Sequence, residues 1–469
     1  MERALFAVFV ALLVWIPIPL GSNRPWAWAV LEVASLGLVA AWLVLWSAGR
    51  IKPPDTLARS WPALLLLALW TLEQALHAVP MPAPLVAALS PEAARIHSLT
   101  EVLGAPPGWM TLSVDPYASK VSLLKTLAYA SCFFLTLVLV RSRRRVLLLA
   151  RALVGAAIVL SVYAVLMHLS GVQQELFGTR IVHGAQASGT YVNRNHFAGY
   201  LEMMLAIGIG LLLADLSDRR ADSWKRFLRD FLEWLLSPKM VLRLSLCVLV
   251  IALTTTHSRM GNTAFFASLL VAGLIGIALS RRATRNTVVL LASLVVIDLL
   301  IVGSWFGMER VVERLEQTTT QEVRQREEPA AHTLALIGNY PVFGAGPGSF
   351  YVLFAGYRPE TVTDYYDYAH NDYAQFASES GLLGLGILGL FVILSLAAAL
   401  RAQWRRRDPL MRGMSFACIM GVTAILIHSS VDFNLQIPAN AVYFVVLLAL
   451  GWISLHHDRH AAPIRAEGE

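Results

Sequence analysis

The chain has 469 residues, of which 57% are hydrophobic and only 15% charged, with a mean hydropathy of +0.59. That composition excludes a water-soluble enzyme with a single anchor: a helix needs roughly 20 apolar residues to cross the hydrocarbon, so about a dozen crossings would take roughly half of the chain. The net charge of +7 is compatible with nucleic-acid binding by number alone, but its meaning depends on which loops carry the lysines and arginines.

Long apolar runs predict about twelve spans, at about 4–20, 27–47, 61–77, 121–140, 146–169, 191–214, 241–256, 260–280, 287–306, 381–400, 413–430 and 439–456. The first run follows a short charged start, as a signal peptide would, but it lacks a small-x-small cleavage site and further spans follow, so it reads as a retained span. Cys132, Cys247 and Cys418 lie inside apolar runs, too far apart for a metal cluster or disulfide framework, and read as packing residues. No internal repeat and no low-complexity tract is visible.

Basic residues in short loops stay on the cytoplasmic side. One side collects Arg50, Lys52 and Arg59, then Arg141 and Arg143 to Arg145, the stretch from Arg219 to Arg243, Arg281, Arg282 and Arg285, and the stretch from Arg401 to Arg412. The short loops of the other side hold only Arg24, Arg95, Lys120 and Arg180. Both termini are therefore expected in the cytoplasm, and most of the charge reports insertion, not a ligand. The stretch 215–240, with Trp224, Phe227, Phe231 and Trp234 among basic residues, reads as an amphipathic helix on anionic lipid. Externally, residues 78–120 carry seven prolines from Pro80 to Pro116 and are expected to run along the surface without a long regular element. The division that follows is helices over 1–306, an external loop over 307–380, helices again over 381–456, and a tail over 457–469.

A charge within a span costs roughly 2.5–3.5 kcal/mol on insertion scales, so it needs a partner or a task. Arg194, in the segment 191–199 (YVNRNHFAG), and Arg259, in 256–261 (THSRMG), fall at the same external face. Either could snorkel to lipid phosphates. Together, flanked by Asn193, Asn195, His196 and His257, they suit a buried anion, and a diphosphate fits because guanidinium forks bind phosphate oxygens bidentately.

The external loop opens with a predicted amphipathic helix over about 308–328, whose Glu- and Arg-rich side also suits plain solvation. Next comes the segment 340–350 (YPVFGAGPGSF). Its glycines resemble a nucleotide-binding loop only superficially, because Pro347 interrupts the pattern, and a tight turn near the membrane is expected. Residues 365–381 (YYDYAHNDYAQFASESG) lead directly into span 10. As a helix they would put His370 about 16 Å from Gly381, with Asn371, Asp372, Tyr373 and Glu379 between. An external histidine is usually a plain surface residue; the tyrosines beside it, Tyr365, Tyr366 and Tyr368, suit either sugar stacking or an interfacial belt. The segment 428–438 (HSSVDFNLQIP) brings Asp432 and His428 to the same face. No Asp-x-Asp metal motif or carboxylate cluster lies near this surface, so a metal-free site is expected.

In these motifs the chain resembles the O-antigen ligase and polymerase superfamily of bacterial polysaccharide assembly. The resemblance is carried by His370-Asn371, nine residues and then Gly381 before the next span; by 341–350; by 193–195; by Ser258-Arg259; by Ser113 to Tyr117; and by Asp432 to Pro438. It covers about 110–450, with the ligase-related region at about 190–400. Met260, after Arg259, departs from the small residue many members have, and 320–331, with Glu327, Glu328 and Pro329, is more acidic than usual.

The resemblance implies an all-α, GT-C-like polytopic membrane protein of about twelve helices, with one large, mainly helical periplasmic loop between spans 9 and 10, in the bacterial inner membrane. It further implies an inverting glycosyltransferase that needs neither metal nor cofactor. Such an enzyme moves a preassembled glycan from undecaprenyl diphosphate to a sugar hydroxyl on lipid A-core, or joins lipid-linked repeat units into a growing polysaccharide; protein glycosylation is a third option. No nucleic-acid partner is implied. By the same resemblance Arg194, Arg259 and the loop residue Arg326 hold the donor diphosphate, and His370 takes or orients the acceptor proton. Asn193, Asn195, Asn371, Asp372, Glu379 and Asp432 support them. A twelve-span transporter or flippase is the rival from another class; it would show repeated halves and midplane charges, and neither is seen.

Overall fold

The computed structural model describes residues 1–99, 108–171, 174–177, 179–181, 186–215, 238–279, 293, 296, 320–358 and 365–457. In chain order the helices are α1 (Glu2–Trp15), α2 (Pro25–Ser47), α3 (Asp55–Arg59), α4 (Trp61–Ala78), α5 (Ala83–Leu89), α6 (Pro91–Ser98), α7 (Pro116–Leu139), α8 (Arg143–Ser170), α9 (Arg194–Ala214), α10 (Pro238–Thr255), α11 (Arg259–Ala278), α12 (Thr320–Asn339), α13 (Phe350–Leu353), α14 (Asp372–Arg405), α15 (Pro409–His428) and α16 (Pro438–His456). Two short antiparallel pairs complete the set, Met81–Pro82 with Trp109–Met110 and Gln174–Leu176 with Thr179–Ile181.

The protein is an all-α, multi-pass membrane protein. Eight described helices, α2, α7, α8, α9, α11, α14, α15 and α16, are long and apolar enough to cross a membrane, and α10 is a shorter apolar helix. The runs expected as spans 1 and 3 form α1 and α4. The predicted span 9 apart from residues 293 and 296, the amphipathic stretch 215–240 between residues 216 and 237, the loop arginines 281–285 and residues 308–319 of the loop helix lie outside the described residues.

The bundle is built around α9, α15 and α16. Of the apolar stretch of α16, 94% is buried, and of α9, 89%, against 28% for α2 and 33% for α14, so the first two form the centre and the last two the rim. In lipid there is no hydrophobic force between helices, and close backbone approach takes its place. The α9–α15 contact shows this: a Cβ built on Gly413 would lie 2.1 Å from the Gly210 carbonyl oxygen. At one end Glu2 pairs with Arg141 at 3.1 Å and Arg145 at 2.5 Å, and Arg143 approaches Asp408 at 3.5 Å. The helices α2, α7, α9, α11, α14 and α16 start at the other end, where α15 finishes.

A cap covers that second end. Residues 78–99 and 108–115 form only α5, α6 and a strand pair, as the prolines predict. Their Val86, Ala93 and Leu112 share one small core with Leu336, Tyr340, Ala345, Phe350, Phe354 and Ala369 from the late loop. His77 joins the layers, its Nε2 lying 2.7 Å from the Phe343 carbonyl oxygen.

Candidate functional site

Three chain segments meet at the capped end. The first is the start of α9. Asn193 is its N-cap, accepting from the Asn195 amide at 2.8 Å and so satisfying one of the donors that a helix N-terminus leaves open. Arg194 is thereby the first helical residue and is half-buried. Asn195 turns inward and donates from Nδ2 to Asp432 Oδ2 at 2.6 Å.

Asp432 belongs to the second segment, the connection from α15 to α16. It is 1% exposed, accepts from the Phe433 amide at 2.8 Å, and faces His196 Nε2 at 3.4 Å. Burial alone would raise its pKa. The imidazole of His196, the charge of His428 and the Phe433 amide outweigh burial and hold it well below the usual carboxylate range. Asn440 on α16 closes the network, donating to the His196 carbonyl at 2.9 Å and to Asn434 Oδ1 at 3.0 Å.

The third segment is the entry to α14. The expected helix through 370 begins later: Asn371 is the N-cap, accepting from the Ala374 amide at 3.0 Å, and Asp372 is the first helical residue. His370 stands outside the helix at φ +51, a left-handed backbone that costs a non-glycine residue about 1–3 kcal/mol and clusters at functional sites. That turn aims its ring across the chain, edge-on to Phe433 at 4.9 Å and to Tyr366 at 5.9 Å. Phe433 also takes the His196 ring edge-on at 4.6 Å and stacks on Tyr368 at 4.5 Å. One aromatic ring thus couples His370, His196 and Tyr368. Burial pushes the Tyr368 phenol up to about 12, so it is a neutral donor near pH 7. Tyr365, by contrast, is largely exposed, and of the three tyrosines it fits the interfacial-belt reading best.

Asn371 and Asp372 bind this segment to the second. Asn371 donates to the Ser430 carbonyl at 2.8 Å. The buried Asp372 carboxylate accepts from Ser429 Oγ at 2.7 Å, the Leu435 amide at 3.1 Å and Gln436 Nε2 at 3.3 Å. Glu379 works further along α14, accepting from Gln375 Nε2 at 2.8 Å and the Phe350 amide at 3.3 Å. The nine-residue interval to Gly381 has a physical reason. Gly381 breaks the helix at φ +64, and a Cβ there would sit 2.1 Å from the Val342 carbonyl oxygen. The glycine turn after Pro341 docks in this gap, with Ala345 and Gly346 donating to the Ser378 and Glu379 carbonyls, each at 2.9 Å.

Arg259 is the first residue of α11, which packs beside α9. It follows the N-cap Ser258, which accepts from the Gly261 amide at 3.1 Å, and His257 at φ +52. Arg259 is exposed. Arg194 and Arg259 therefore open two neighbouring helices at one end of the bundle. A cation is disfavoured by the helix dipole at that position, and an anion is favoured. Arg326 lies in the first half of α12, before Pro329, and its side chain is outside the described residues.

Two sequence expectations change. His428 does not reach the shared surface: it is fully buried, its Nδ1 2.8 Å from Glu202 Oε1 of α9. Nor are the two arginines alone as ionisable groups within the spans. Glu32 of α2, Glu73 of α4 and Lys125 of α7 join Glu202 in this class, and Lys125 Nζ lies 3.8 Å from the centroid of the Trp28 ring. Each is a single charge in an apolar run, a signal the sequence carries openly.

Residues 244–388 match the family described as O-antigen ligase, a stretch of less than a third of the chain that contains Arg259, Arg326, His370, Asn371, Asp372, Glu379 and Gly381. No curated protein sequence matches the chain. Arg194, Asn195 and Asp432 lie outside the matched stretch, yet Asn195 bonds Asp432, whose neighbour Phe433 meets the His370 ring. Residues 244–388 are thus similar to an O-antigen ligase domain, and the similarity supports the O-antigen ligase superfamily.

Proposed function

We propose that this protein is an O-antigen ligase-type glycosyltransferase that moves a preassembled glycan from undecaprenyl diphosphate to a sugar hydroxyl on an acceptor at the periplasmic face. The observation that carries the reading is the position of His370, on a strained turn inside the O-antigen ligase region and ring to ring with the Phe433 cluster that ties α9, α14 and α15 together.

In the transfer, the acceptor oxygen attacks the anomeric carbon from the side opposite the diphosphate. The new carbon–oxygen bond forms as the bond to the phosphate oxygen breaks, with inversion. The electron pair leaves on the diphosphate, and the acceptor proton passes to His370, whose side chain titrates near neutrality when unperturbed. Arg194 and Arg259 would hold the diphosphate, stabilising its growing charge with fixed donors in a water-poor site; Arg326 is the third candidate for that role. Asn193 and Asn195 set the α9 terminus, and Asn371, Asp372, Glu379 and Asp432 fix the base and its turn. The protein would sit in the bacterial inner membrane with both termini in the cytoplasm.

The test is reconstitution of purified protein in lipid nanodiscs with undecaprenyl-diphosphate oligosaccharide and lipid A-core, without added nucleotide or metal. Glycosylated lipid A-core is the expected product. Longer lipid-linked chains formed without lipid A-core would instead identify a polymerase, and product formed only with added divalent metal would contradict the metal-free step.

A further inference from the structure

A cavity of about 780 Å³ opens mainly between α2, α4, α7, α14 and α16, with Tyr351 of α13 and Leu426 of α15 at its wall, and no residue of α9 or α11 lines it. Its wall changes character along the helices. Near the cap it carries Lys125, Asp367, Tyr368, Glu379 and Gln436; further down it is a slot of Leu388, Val392, Ile393, Leu396, Phe444 and Val445. Ile393 is about 18 Å along α14 from Gly381 at 1.5 Å per residue, past the middle of a hydrocarbon layer of about 30 Å. It is also 62% exposed, so the slot is open to lipid at its side. A water-soluble saccharide has no use for such a slot.

The polar end does not suit a diphosphate. Its one cation, Lys125, is already over Trp28, and three acidic residues, Asp367, Asp372 and Glu379, line the same space. Carboxyl groups, phenols and aromatic faces suit uncharged sugar rings and their hydroxyls. Tyr368 is shared between this wall and the Phe433 stack that holds His370, so two rings, Tyr368 and Phe433, link the polar end of the cavity to the proposed base. Gly389 also lines the slot, and a Cβ built on it meets nothing within 4 Å. Glycine inside a helix costs about 0.5–1 kcal/mol relative to alanine, and here it leaves the slot wide.

We infer that this cavity is the subsite for a glycolipid acceptor, its hydrocarbon chain in the slot of α14 and α16 and its sugar between Lys125, Glu379 and Tyr368. The assignment rests on the proposed function for its second lipid, the polyprenyl-diphosphate donor, which is assigned to the arginines of α9 and α11. Binding can be read without turnover, so failure here and failure of the transferase reading are separable.

The probe is an alkyl maltoside with a diazirine in its chain, photolysed with the full-length protein in nanodiscs and mapped by mass spectrometry. Adducts are expected on residues 385–396 of α14 and 441–445 of α16. Gly389→Leu, which fills the slot, and Lys125→Gln, at the other end, should each cut labelling by about tenfold or more, a loss of about 1.4 kcal/mol of affinity. Excess undecaprenyl diphosphate should leave the labelling unchanged. Labelling indifferent to both substitutions, adducts confined to α9 and α11, or labelling abolished by undecaprenyl diphosphate would each overturn the assignment, the last by giving the cavity to the donor.

Discussion

Asn195 donates its side-chain amide to the Asp432 carboxylate at 2.6 Å, with Asn195 4% exposed and Asp432 1%. The bond joins the first turn of α9 to the turn that carries Phe433, and through Phe433 to His370. Removing one partner strands a buried polar group, which costs about 1–3 kcal/mol, and more when that group is charged. Asn195→Ala is expected to destabilise by this amount, read as a lower melting temperature in nanodiscs. Asn195→Asp should be worse, because two buried carboxylates would then face each other. Wild-type melting of Asn195→Asp would exclude the bond as a tie.

Asp432 also sets a pH dependence. Its folded pKa lies below the usual range, so between that value and the unfolded value of about 3.9 the unfolded chain binds a proton that the folded chain does not. The stabilisation is therefore fully present above about pH 5 and is lost progressively as pH falls below about 4. Melting temperature against pH should fall more steeply in the wild type than in Asp432→Asn over that acid range, and in parallel above it. Parallel curves throughout would contradict the depressed value.

Gly381 is a sharp structural test. Alanine there would face φ +64 and a Val342 carbonyl oxygen 2.1 Å from its Cβ. The backbone strain alone costs about 1–3 kcal/mol, and relief of the clash must push the glycine turn off α14. Gly381→Ala should lower both the melting temperature and transferase activity, whereas Gly386→Ala on the same helix, where a Cβ meets nothing within 4 Å, should lower neither. Equal behaviour of the two variants would show that the docked turn is dispensable.

The arginines should act on the donor. Loss of a hydrogen bond to a charged group costs about 1.5–3 kcal/mol, or about 10- to 150-fold in affinity. Arg194→Ala and Arg259→Ala are each expected to raise KM for undecaprenyl-diphosphate oligosaccharide on this scale while leaving KM for the acceptor unchanged. A rise in acceptor KM alone would move the diphosphate elsewhere.

Much of this arrangement was legible in the sequence. The spans could be read because a crossing requires about 20 apolar residues whatever its neighbours are, and the 344–348 turn because Gly344, Gly346, Pro347 and Gly348 permit little else. Asn193, Asn371 and Asp432 could be picked out by type and place. What could not be read depends on contacts between distant segments. Local sequence leaves open whether His370 starts α14 or stands before it; the Asn371 cap and the bonds of Asp372 to Ser429, Leu435 and Gln436 decide that. The segment 428–438 places His428 at the same face as Asp432, but Glu202, 226 residues away, holds its ring inside. The acceptor cavity draws its wall from helices far apart in the chain, and no single stretch of sequence records it.

The most direct measurement is single-turnover transfer from undecaprenyl-diphosphate oligosaccharide by wild type and by His370→Asn, at saturating donor and acceptor. Asparagine tolerates the left-handed backbone at this position and cannot act as the base, so the two proteins should melt alike. The account predicts a rate about 10²–10⁴-fold lower for His370→Asn, the usual contribution of general-base catalysis. A rate within about twofold of wild type, far short of that contribution, would contradict it.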